Sequence, residues 1–283
     1  MAASVHAHIA AARQALLAAG ITTQDASGDA EVLARHALGW DRAALLTRWR
    51  EPAPAGFERD YAALIRRRAA REPVALITGV REFWGLEIRV TSDVLVPRPE
   101  TELVVEHAIA FACTHDVRRI ADIGTGSGCL AVALAVELPS ARLVAIDVSP
   151  AALSVAASNL RRHRVDTRVL LLRANALDAI RGPLDLIVSN PPYVPLDSAL
   201  PPEVANYEPH AALFAGTDGL DVIRALIGSV ASRLAPDGRF IVEFGFGQHV
   251  AVKALAREAG WQQVVIARDL QGIPRVAIMG RRG

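Results

Sequence analysis

The sequence predicts an α/β protein in which a small helical domain precedes a mostly parallel sheet. From residue 117 onward, apolar strand-like runs alternate with helical patterns, which is typical of a sheet covered by helices on both faces. Residues 1–72 instead have apolar residues spaced three and four positions apart, which predicts helices and no strand. The 283 residues are enough for one large domain or two modest ones.

The N-terminal domain, residues 1–72, is predicted to contain four helices. The first, VHAHIAAARQALLAAG, ends at Gly20, and Thr23 or Asp25 can cap the second, which runs through EVLARHALGW. DRAALLTRW and FERDYAALIRRRAA are the third and fourth. Pro73 ends the domain.

A connector, residues 73–99, is predicted to follow. REFWGLEIRV alternates in polarity and has Gly85 at its centre, which indicates a short β-hairpin. VLVPRPETE comes next and is stiffened by its two prolines. The second domain, residues 100–283, then begins with an amphipathic helix from Glu100 to Ala112.

The second domain contains the strand signals. Its predicted strands are VRRIADIG, RLVAIDV, TRVLLLRA, LDLIVSN, GRFIVEFG, WQQVVIARD and IPRVAIMG. The helices among them are CLAVALAVEL, PAALSVAASNLRRH, DGLDVIRALIGSVASRL and GQHVAVKALAREAG. No helix separates the last two strands, so we expect them to pair as a hairpin and to form an antiparallel edge of the sheet.

Charge and composition argue against several classes of protein. The formal net charge is +1, so there is no broad electrostatic footprint for nucleic acid or a membrane surface. The two cysteines, Cys113 and Cys129, indicate neither a disulfide framework nor a metal cluster. The N-terminus lacks a signal-peptide pattern, and no apolar run reaches membrane-spanning length. We therefore expect a cytoplasmic protein that binds no metal.

A glycine-rich loop follows the first strand of the second domain. ADIGTGSG places Asp122 at the strand end and Gly124, Gly126 and Gly128 in the turn, where glycine allows positive φ and close approach of a ligand. The next helix points its N-terminus at the same place. A dinucleotide fingerprint would have its third glycine where Cys129 stands. D-x-G-x-G-x-G instead resembles the first motif of S-adenosylmethionine (AdoMet) methyltransferases.

Two later strand ends add candidate AdoMet contacts. Asp147 ends the next strand, where a carboxylate can accept hydrogen bonds from both ribose hydroxyls. Asn175 follows the third strand, where this fold often has an Asp against the adenine amino group, and its side-chain carbonyl can still accept. Ala176 offers the ring little surface. The alternatives are an ordinary tight turn at the glycines and a simple loop at Asn175.

The tetrapeptide NPPY ends the fourth strand of the second domain. Ligands bind at the carboxyl ends of the strands in an open parallel sheet, so NPPY and the glycine loop should face the same crevice. The side-chain carbonyl of Asn190 and the backbone carbonyl of Pro191 can each accept one N–H of a target amide. These two hydrogen bonds would direct the lone pair of the amide nitrogen toward the methyl group of AdoMet. Pro191 and Pro192 fix φ, and Tyr193 can pack on the planar amide. An isolated N-P-P would more often be a turn.

Together these residues resemble the N5-glutamine methyltransferases, specifically the peptide chain release factor glutamine methyltransferases (the HemK/PrmC family). The resemblance covers nearly the whole chain. It includes REPVALITGVREFWGLEIRV, VLVPRPETE, ADIGTGSG, AIDVS, DLIVSNPPYVP, EVANYEPHAAL and DGLDVIRALI. It implies a seven-stranded, Rossmann-like AdoMet-dependent methyltransferase domain joined through a hairpin to a helical N-terminal domain that helps hold the substrate.

The resemblance also implies a reaction. Methyl would pass from AdoMet to the side-chain amide nitrogen (N5) of the glutamine in the GGQ loop of class-1 release factors, modulating translation termination and leaving S-adenosylhomocysteine. The implied catalytic residues are Asn190, Pro191, Pro192 and Tyr193, and the implied cofactor-binding residues are Gly124, Thr125, Gly126, Ser127, Gly128, Asp147, Asn175, Ala176 and Asn190. Many members have an aromatic residue near Leu76, and an Asp and an aromatic near Asn175 and Ala176, so the adenine contacts differ here.

Other functions stay open at this point. A ribosomal-protein glutamine is a close alternative acceptor, and adenine N6 in DNA is a more distant one, because NPPY also occurs in adenine-N6 DNA methyltransferases. A non-catalytic binding module on the same fold is a third alternative. Near-neutral charge and a helical N-terminus argue against DNA. We expect a monomer that binds neither DNA nor membrane.

Four further residues carry hypotheses of their own. Arg98 and Glu100 of PRPETE either line the mouth of the site or form a structural salt bridge. Glu208 and His210 lie in the long segment after NPPY, a candidate lid, and for His210 the structural role is favoured over a catalytic one.

Overall fold

The computed structural model describes residues 3–176, 178, 180 and 182–281. The chain forms two compact units: Met1–Gly79 with Leu200–Tyr207, and Val80–Ala199 with Glu208–Gly283. None of the helices in the described residues is long and apolar enough to cross a membrane.

The first unit is helical. Its helices are α1 (Val5–Ala18), α2 (Thr23–Leu38), α3 (Arg42–Arg48), α4 (Phe57–Ala69), α5 (Val74–Thr78) and, from the later segment, α9 (Pro202–Ala205). The cap of α2 is Thr22, one residue before the predicted pair, and its side chain accepts a hydrogen bond from the Asp25 amide. Helix α2 ends at Leu38 and is followed by Gly39, which has a φ of 64°.

This helical unit extends past the expected boundary at residue 72. Ile77 of α5 is buried in the same apolar cluster as Leu16, Leu33 and Ile65, and Val74 packs against that cluster. The boundary therefore lies after α5, because the apolar side chains on this short helix are covered by the other helices.

The second unit begins with the hairpin that the sequence predicts. Strands β1 (Val80–Phe83) and β2 (Leu86–Arg89) are antiparallel. Trp84 and Gly85 form the turn with φ of 55° and 68°, the two positive values that a type I′ hairpin turn requires.

A seven-stranded sheet forms the centre of the described part of this unit, which confirms the predicted fold class. Its strands are β3 (Arg119–Ile123), β4 (Arg142–Asp147), β5 (Val169–Arg173), β6 (Leu184–Ser189), β7 (Leu234–Glu243), β8 (Gln263–Arg268) and β9 (Pro274–Gly280). The order is β5-β4-β3-β6-β7-β9-β8, parallel as far as β7, with β9 antiparallel to both of its neighbours.

The last two strands pair as the predicted hairpin, but β9 lies inside β8. Val276, Ala277 and Met279 of β9 are fully buried, whereas Val265 of β8 is 58% exposed. Strand β9 therefore has the buried inner position beside β7, and β8 forms the edge.

Helices surround the sheet. They are α6 (Glu102–Ala112), α7 (Cys129–Glu137), α8 (Pro150–Arg162), α10 (Asp221–Ser229) and α11 (His249–Glu258). From β3 the chain moves outward through β4 to β5, then continues on the other side with β6 and β7. This reversal between β3 and β6 is the topological switch point at which open α/β sheets bind ligands, and it brings the glycine loop next to NPPY.

Candidate active site

A cavity of about 320 Å³ lies at the carboxyl edge of the sheet, within the α/β unit. Most of the predicted site residues line it: Gly124, Thr125, Gly126, Ser127, Asp147, Asn175, Ala176, Asn190 and Pro192. The ends of β3, β4, β5 and β6 therefore contribute to one site. Apolar side chains, including Leu95, Leu130, Val222 and Leu226, cover much of the remaining wall.

The glycine loop turns tightly after β3. Gly124 and Gly126 have φ of +71° and +53°, and a Cβ built on either one would meet no atom within 4 Å. The amides of Gly124 and Thr125 both donate to the Ile146 carbonyl at 2.9 Å. The loop is thus held by the neighbouring strand, and its side-chain-free backbone lines the cavity.

Gly128 has a different role from the two glycines before it. A Cβ at Gly128 would lie 3.1 Å from the Ala156 Cβ and 3.2 Å from its Cα. Gly128 is also absent from the described residues that line the cavity. Glycine at this position allows the start of α7 to approach α8.

Asp147 holds the loop from the end of β4. Its Oδ2 accepts a hydrogen bond from the Gly126 amide, and its Oδ1 accepts one from the Ser149 amide, both at 2.9 Å. Each carboxylate oxygen can accept a second hydrogen bond, so this cavity-lining side chain can still receive ligand hydroxyls.

Asp122 is fully buried beneath the loop. The pKa of its carboxyl is raised to about 7, chiefly by burial and also by the charge of Asp147, against a hydrogen bond from Thr125 that lowers it. The Thr125 hydroxyl donates to Asp122 Oδ2 at 2.6 Å, while Oδ1 has no partner among the described residues. Asp122 therefore supports Thr125, which lines the cavity.

Asn190 is oriented by Thr101, which precedes α6. The Asn190 amide nitrogen donates to the Thr101 hydroxyl oxygen at 2.9 Å. The amide oxygen, Oδ1, is buried and lacks a hydrogen-bond partner within the described part of the chain. Asn190 and Thr101 both line the cavity, so this side chain keeps a free acceptor at the site.

Two hydrogen bonds hold Tyr193 in place. Its hydroxyl donates to Glu243 Oε1 at 3.1 Å, and its backbone carbonyl accepts from Gln248 at 3.0 Å. A Cβ on Gly245 would lie 3.0 Å from the Tyr193 ring, so glycine leaves room for it. Neither Tyr193 nor the buried Pro191 is among the described lining residues, and their predicted contacts with a substrate amide stay predictions.

Glu243 is a buried carboxyl at the end of β7. The pKa of this carboxyl is raised to about 7, chiefly by burial and also by Glu100, against the hydrogen bond from Tyr193 that lowers it. Its Oε2 has no hydrogen-bond partner among the residues that the structure describes.

Arg98 pairs with Glu208, and Glu100 is not its partner. The Arg98 guanidinium lies 2.6 Å from Glu208, whose side chain is 1% exposed and also accepts from the Val96 amide at 3.2 Å. Of the two readings, the structure shows the salt bridge. It joins the PRPETE segment to the segment after NPPY, beside the cavity-lining residues Pro97 and Pro209. The His210 ring packs edge-on against Phe214.

Comparison with known proteins identifies the family. Residues 8–79 match the PrmC N-terminal domain, and residues 101–200 match the methyltransferase small domain. The release factor glutamine methyltransferase of Cereibacter sphaeroides is 43% identical, covering 92% of both chains. The chain belongs to the release factor glutamine methyltransferase family. Members from Xylella fastidiosa (strain Temecula1) and Geobacter sulfurreducens are each 41% identical, covering 93% and 92% of this chain and 96% and 91% of theirs.

Solved structures share the fold of this family member. The hMettl16 catalytic domain in complex with MAT2A 3′UTR hairpin 6 has a TM-score of 0.59 at 20% identity, covering 76% of this chain and 82% of that one. A T. thermophilus 16S rRNA methyltransferase in complex with AdoMet and guanosine has a TM-score of 0.55 at 20% identity, covering 72% and 50%.

Sequence reasoning missed Thr101 and Glu243, two residues that hold NPPY in this family member. Glu243 gives a signal, because it is the one charged residue of FIVEF, an otherwise apolar run ending at a strand terminus. Thr101 gives a weaker signal, since a threonine before a helix is ordinarily read as a cap. Here its side chain makes no cap hydrogen bond and bonds to Asn190.

Proposed function

We propose that this protein transfers a methyl group from AdoMet to the side-chain amide nitrogen of the glutamine in the GGQ loop of class-1 release factors. One observation of the structure carries the proposal: the buried Asn190 Oδ1, a free acceptor on the wall of the cavity that the glycine loop also lines. Family membership supports the same acceptor, since the relatives are named for this activity.

The cavity residues fit AdoMet. Gly124 and Gly126 present bare backbone toward a methionine moiety, and the Asp147 carboxylate retains lone pairs for the two ribose hydroxyls. Asn175 and Ala176 also line the cavity, and we place the adenine beside them. When bound, AdoMet supplies a methyl group made electrophilic by the sulfonium. We propose AdoMet as the cofactor and no metal.

The acceptor amide needs help because its nitrogen lone pair is delocalised into the carbonyl. Asn190 Oδ1 accepts one of the two amide hydrogens, and the Pro191 carbonyl accepts the other. Two acceptors at fixed positions turn the lone pair toward the methyl group. Positioning of this kind can lower a barrier by roughly 7–11 kcal/mol.

No strong base is required in this mechanism. The amide nitrogen becomes acidic only as the new bond forms, and its proton can leave through an acceptor or water. Apolar walls from Leu130, Val222 and Leu226 provide few polar neighbours for the sulfonium, which favours dispersal of its charge during transfer. We further propose that the N-terminal helical domain helps hold the release factor.

A labelling experiment tests the function. The purified protein is incubated with methyl-labelled AdoMet and a class-1 release factor, with a release factor carrying alanine in place of the GGQ glutamine as the matched control. We expect label on the first and none on the second. Duplex DNA and ribosomal proteins form two further arms, and label confined to either of them would overturn the proposal.

A further inference from the structure

Gln248 lies in the turn between β7 and α11, and the reaction proposed above does not use it. Although it immediately precedes α11, its side chain makes no cap hydrogen bond to that helix. Its Nε2 instead donates to the Tyr193 backbone carbonyl at 3.0 Å, across 55 positions of the chain. Gln248 is not among the described residues that line the cavity, so it can act on a substrate only through the residues that it holds.

Both ends of the Gln248 carboxamide make hydrogen bonds. Oε1 accepts from the Gly245 amide at 2.8 Å, and Nε2 also donates to the carbonyls of Asp218 and Gly219 at 3.3 and 3.4 Å. A flipped carboxamide would place its oxygen against carbonyl oxygens and its NH₂ group against the Gly245 N–H, so only one orientation fits. The side chain therefore joins three segments: the turn after β7, the residues before α10, and NPPY.

Two glycines leave room for Tyr193 in this cluster. A Cβ on Gly219 would collide with the Tyr193 carbonyl oxygen and would lie 2.9 Å from Gln248 Nε2. A Cβ on Gly245 would lie 3.0 Å from the Tyr193 ring and 2.9 Å from Gln248 Oε1. The Tyr193 hydroxyl donates to Glu243 at 3.1 Å. Tyr193 is thus fixed at its ring, at its hydroxyl and at its backbone carbonyl.

The two prolines of NPPY couple Tyr193 to the acceptor carbonyl of Pro191. Pro191 and Pro192 have no backbone N–H, so neither can be held by donating a backbone hydrogen bond. Their rings also fix φ, which leaves few free rotations between Asn190 and Tyr193. At the other end of the segment, the Asn190 side chain is held by Thr101 at 2.9 Å. The Pro191 carbonyl lies between these two anchors, and its direction depends on both.

We propose that Gln248 is a positioning residue for methyl transfer, which fixes the Tyr193 end of NPPY and thereby aims the Pro191 carbonyl at the substrate amide. Without the Nε2 donor, the Tyr193 carbonyl loses this side-chain partner, and the segment gains freedom at the ψ angles of its prolines. The inference rests on the proposed function, because it assigns a role within that reaction.

Two substitutions at Gln248 test the inference in the full-length protein. Gln248→Glu keeps an acceptor for the Gly245 amide but replaces the donor to Tyr193 by a carboxylate oxygen. Gln248→Met removes both groups without adding charge. We expect each variant to lower kcat on the release factor about 10- to 100-fold, since a small misplacement can cost that much. AdoMet Kd should stay within about threefold of wild type, because Gln248 holds NPPY and not the glycine loop.

Val250→Glu is the matched control for charge. Val250 lies in α11 two positions further along the chain and is 68% exposed, so the variant adds the same charge at an exposed site. It should keep kcat within about threefold of wild type, since exposed charges are screened. For every variant, kcat is expressed per AdoMet-binding site counted by calorimetric titration, so that a loss of folded protein does not lower it.

Wild-type kcat per binding site in Gln248→Met would overturn the inference, and so would a higher AdoMet Kd without loss of kcat. It also fails if Val250→Glu loses as much kcat as Gln248→Met, because any change near the start of α11 would then have the same effect. If neither Gln248 variant folds in thermal melts, the residue serves stability and the inference is wrong.

Wild-type protein assayed in parallel separates the two proposals. If wild type does not methylate the release factor, the proposed function fails. If wild type methylates it and the Gln248 variants do so at the same kcat, only the role of Gln248 fails.

Discussion

The site has two halves, the glycine loop with Asp147 and the NPPY segment, and different interactions hold each of them in place. The glycine loop is positioned by backbone hydrogen bonds, from the Gly124 and Thr125 amides to the Ile146 carbonyl and from the Gly126 amide to Asp147. Asn190 and Tyr193 are positioned by side chains, Thr101 and Glu243. The backbone hydrogen bonds of the glycine loop depend on the neighbouring strand, whereas a single substitution can remove a side-chain hydrogen bond to Asn190 or Tyr193. We therefore expect changes in the first half to alter cofactor affinity and changes in the second half to alter turnover.

The largest expected effect is at Asn190. Asn190→Ala removes an acceptor needed mainly as the amide nitrogen reacts, so kcat should fall by about 10²- to 10³-fold, as when one preorganised hydrogen-bond partner of a transition state is lost. AdoMet Kd, measured by calorimetry, should change little. Wild-type turnover would contradict the assigned role, and a large loss of AdoMet affinity would show that the two halves are not separable.

In the half of the site that we expect to bind AdoMet, the corresponding test is Asp147→Ala. The variant loses a charged acceptor for ribose hydroxyls and also the support of the Gly126 amide, so AdoMet Kd should rise by about 10- to 100-fold. With saturating AdoMet, kcat should recover most of its wild-type value. A normal Kd in equilibrium binding would remove Asp147 from the cofactor site.

A pair of glycine substitutions sharpens the comparison within the loop. Gly126→Ala and Gly128→Ala both force alanine into positive φ, but only the second places a Cβ about 3.1 Å from Ala156. Overpacking should make Gly128→Ala the less stable variant by about 1–3 kcal/mol in denaturant unfolding. Gly126→Ala should instead weaken AdoMet binding, and equal stabilities would show that Gly128 has no packing role.

The last prediction concerns the pH dependence of stability. Asp122 has its pKa raised to about 7 by burial, chiefly, and by the charge of Asp147, against the hydrogen bond from Thr125. Since the folded pKa lies above the unfolded one, its stabilising contribution is complete below about pH 4 and is lost as pH rises toward about 7.

Asp122→Asn removes this titration. The difference in free energy of unfolding between wild type and Asp122→Asn should therefore move against wild type between about pH 4 and pH 7. Denaturant melts at several pH values measure it. A constant difference across that range would show that the buried carboxyl does not titrate there.

Much of the site could be predicted because its residues end parallel strands. Asp147 and Asn190 each follow an apolar strand run, and the carboxyl ends of parallel strands meet at one edge, so sequence order placed them together. Gly128 illustrates a limit of this reasoning. Its spacing matched a ligand-binding motif, yet its neighbour is Ala156 of α8, a contact that no local pattern reports.

By itself, the sequence determined the α/β class, the hairpin and the strand ends that form the cavity, because hydrophobic period and turn residues are local properties. Only the tertiary structure decided that β9 lies inside β8, that Arg98 pairs with Glu208, and that Thr101 and Glu243 orient NPPY. Glu243 is 50 positions from Tyr193 in the chain, so their hydrogen bond exists only once β7 has joined the sheet beside β6. Such contacts depend on how distant elements pack together, and no local pattern of the sequence reports that packing.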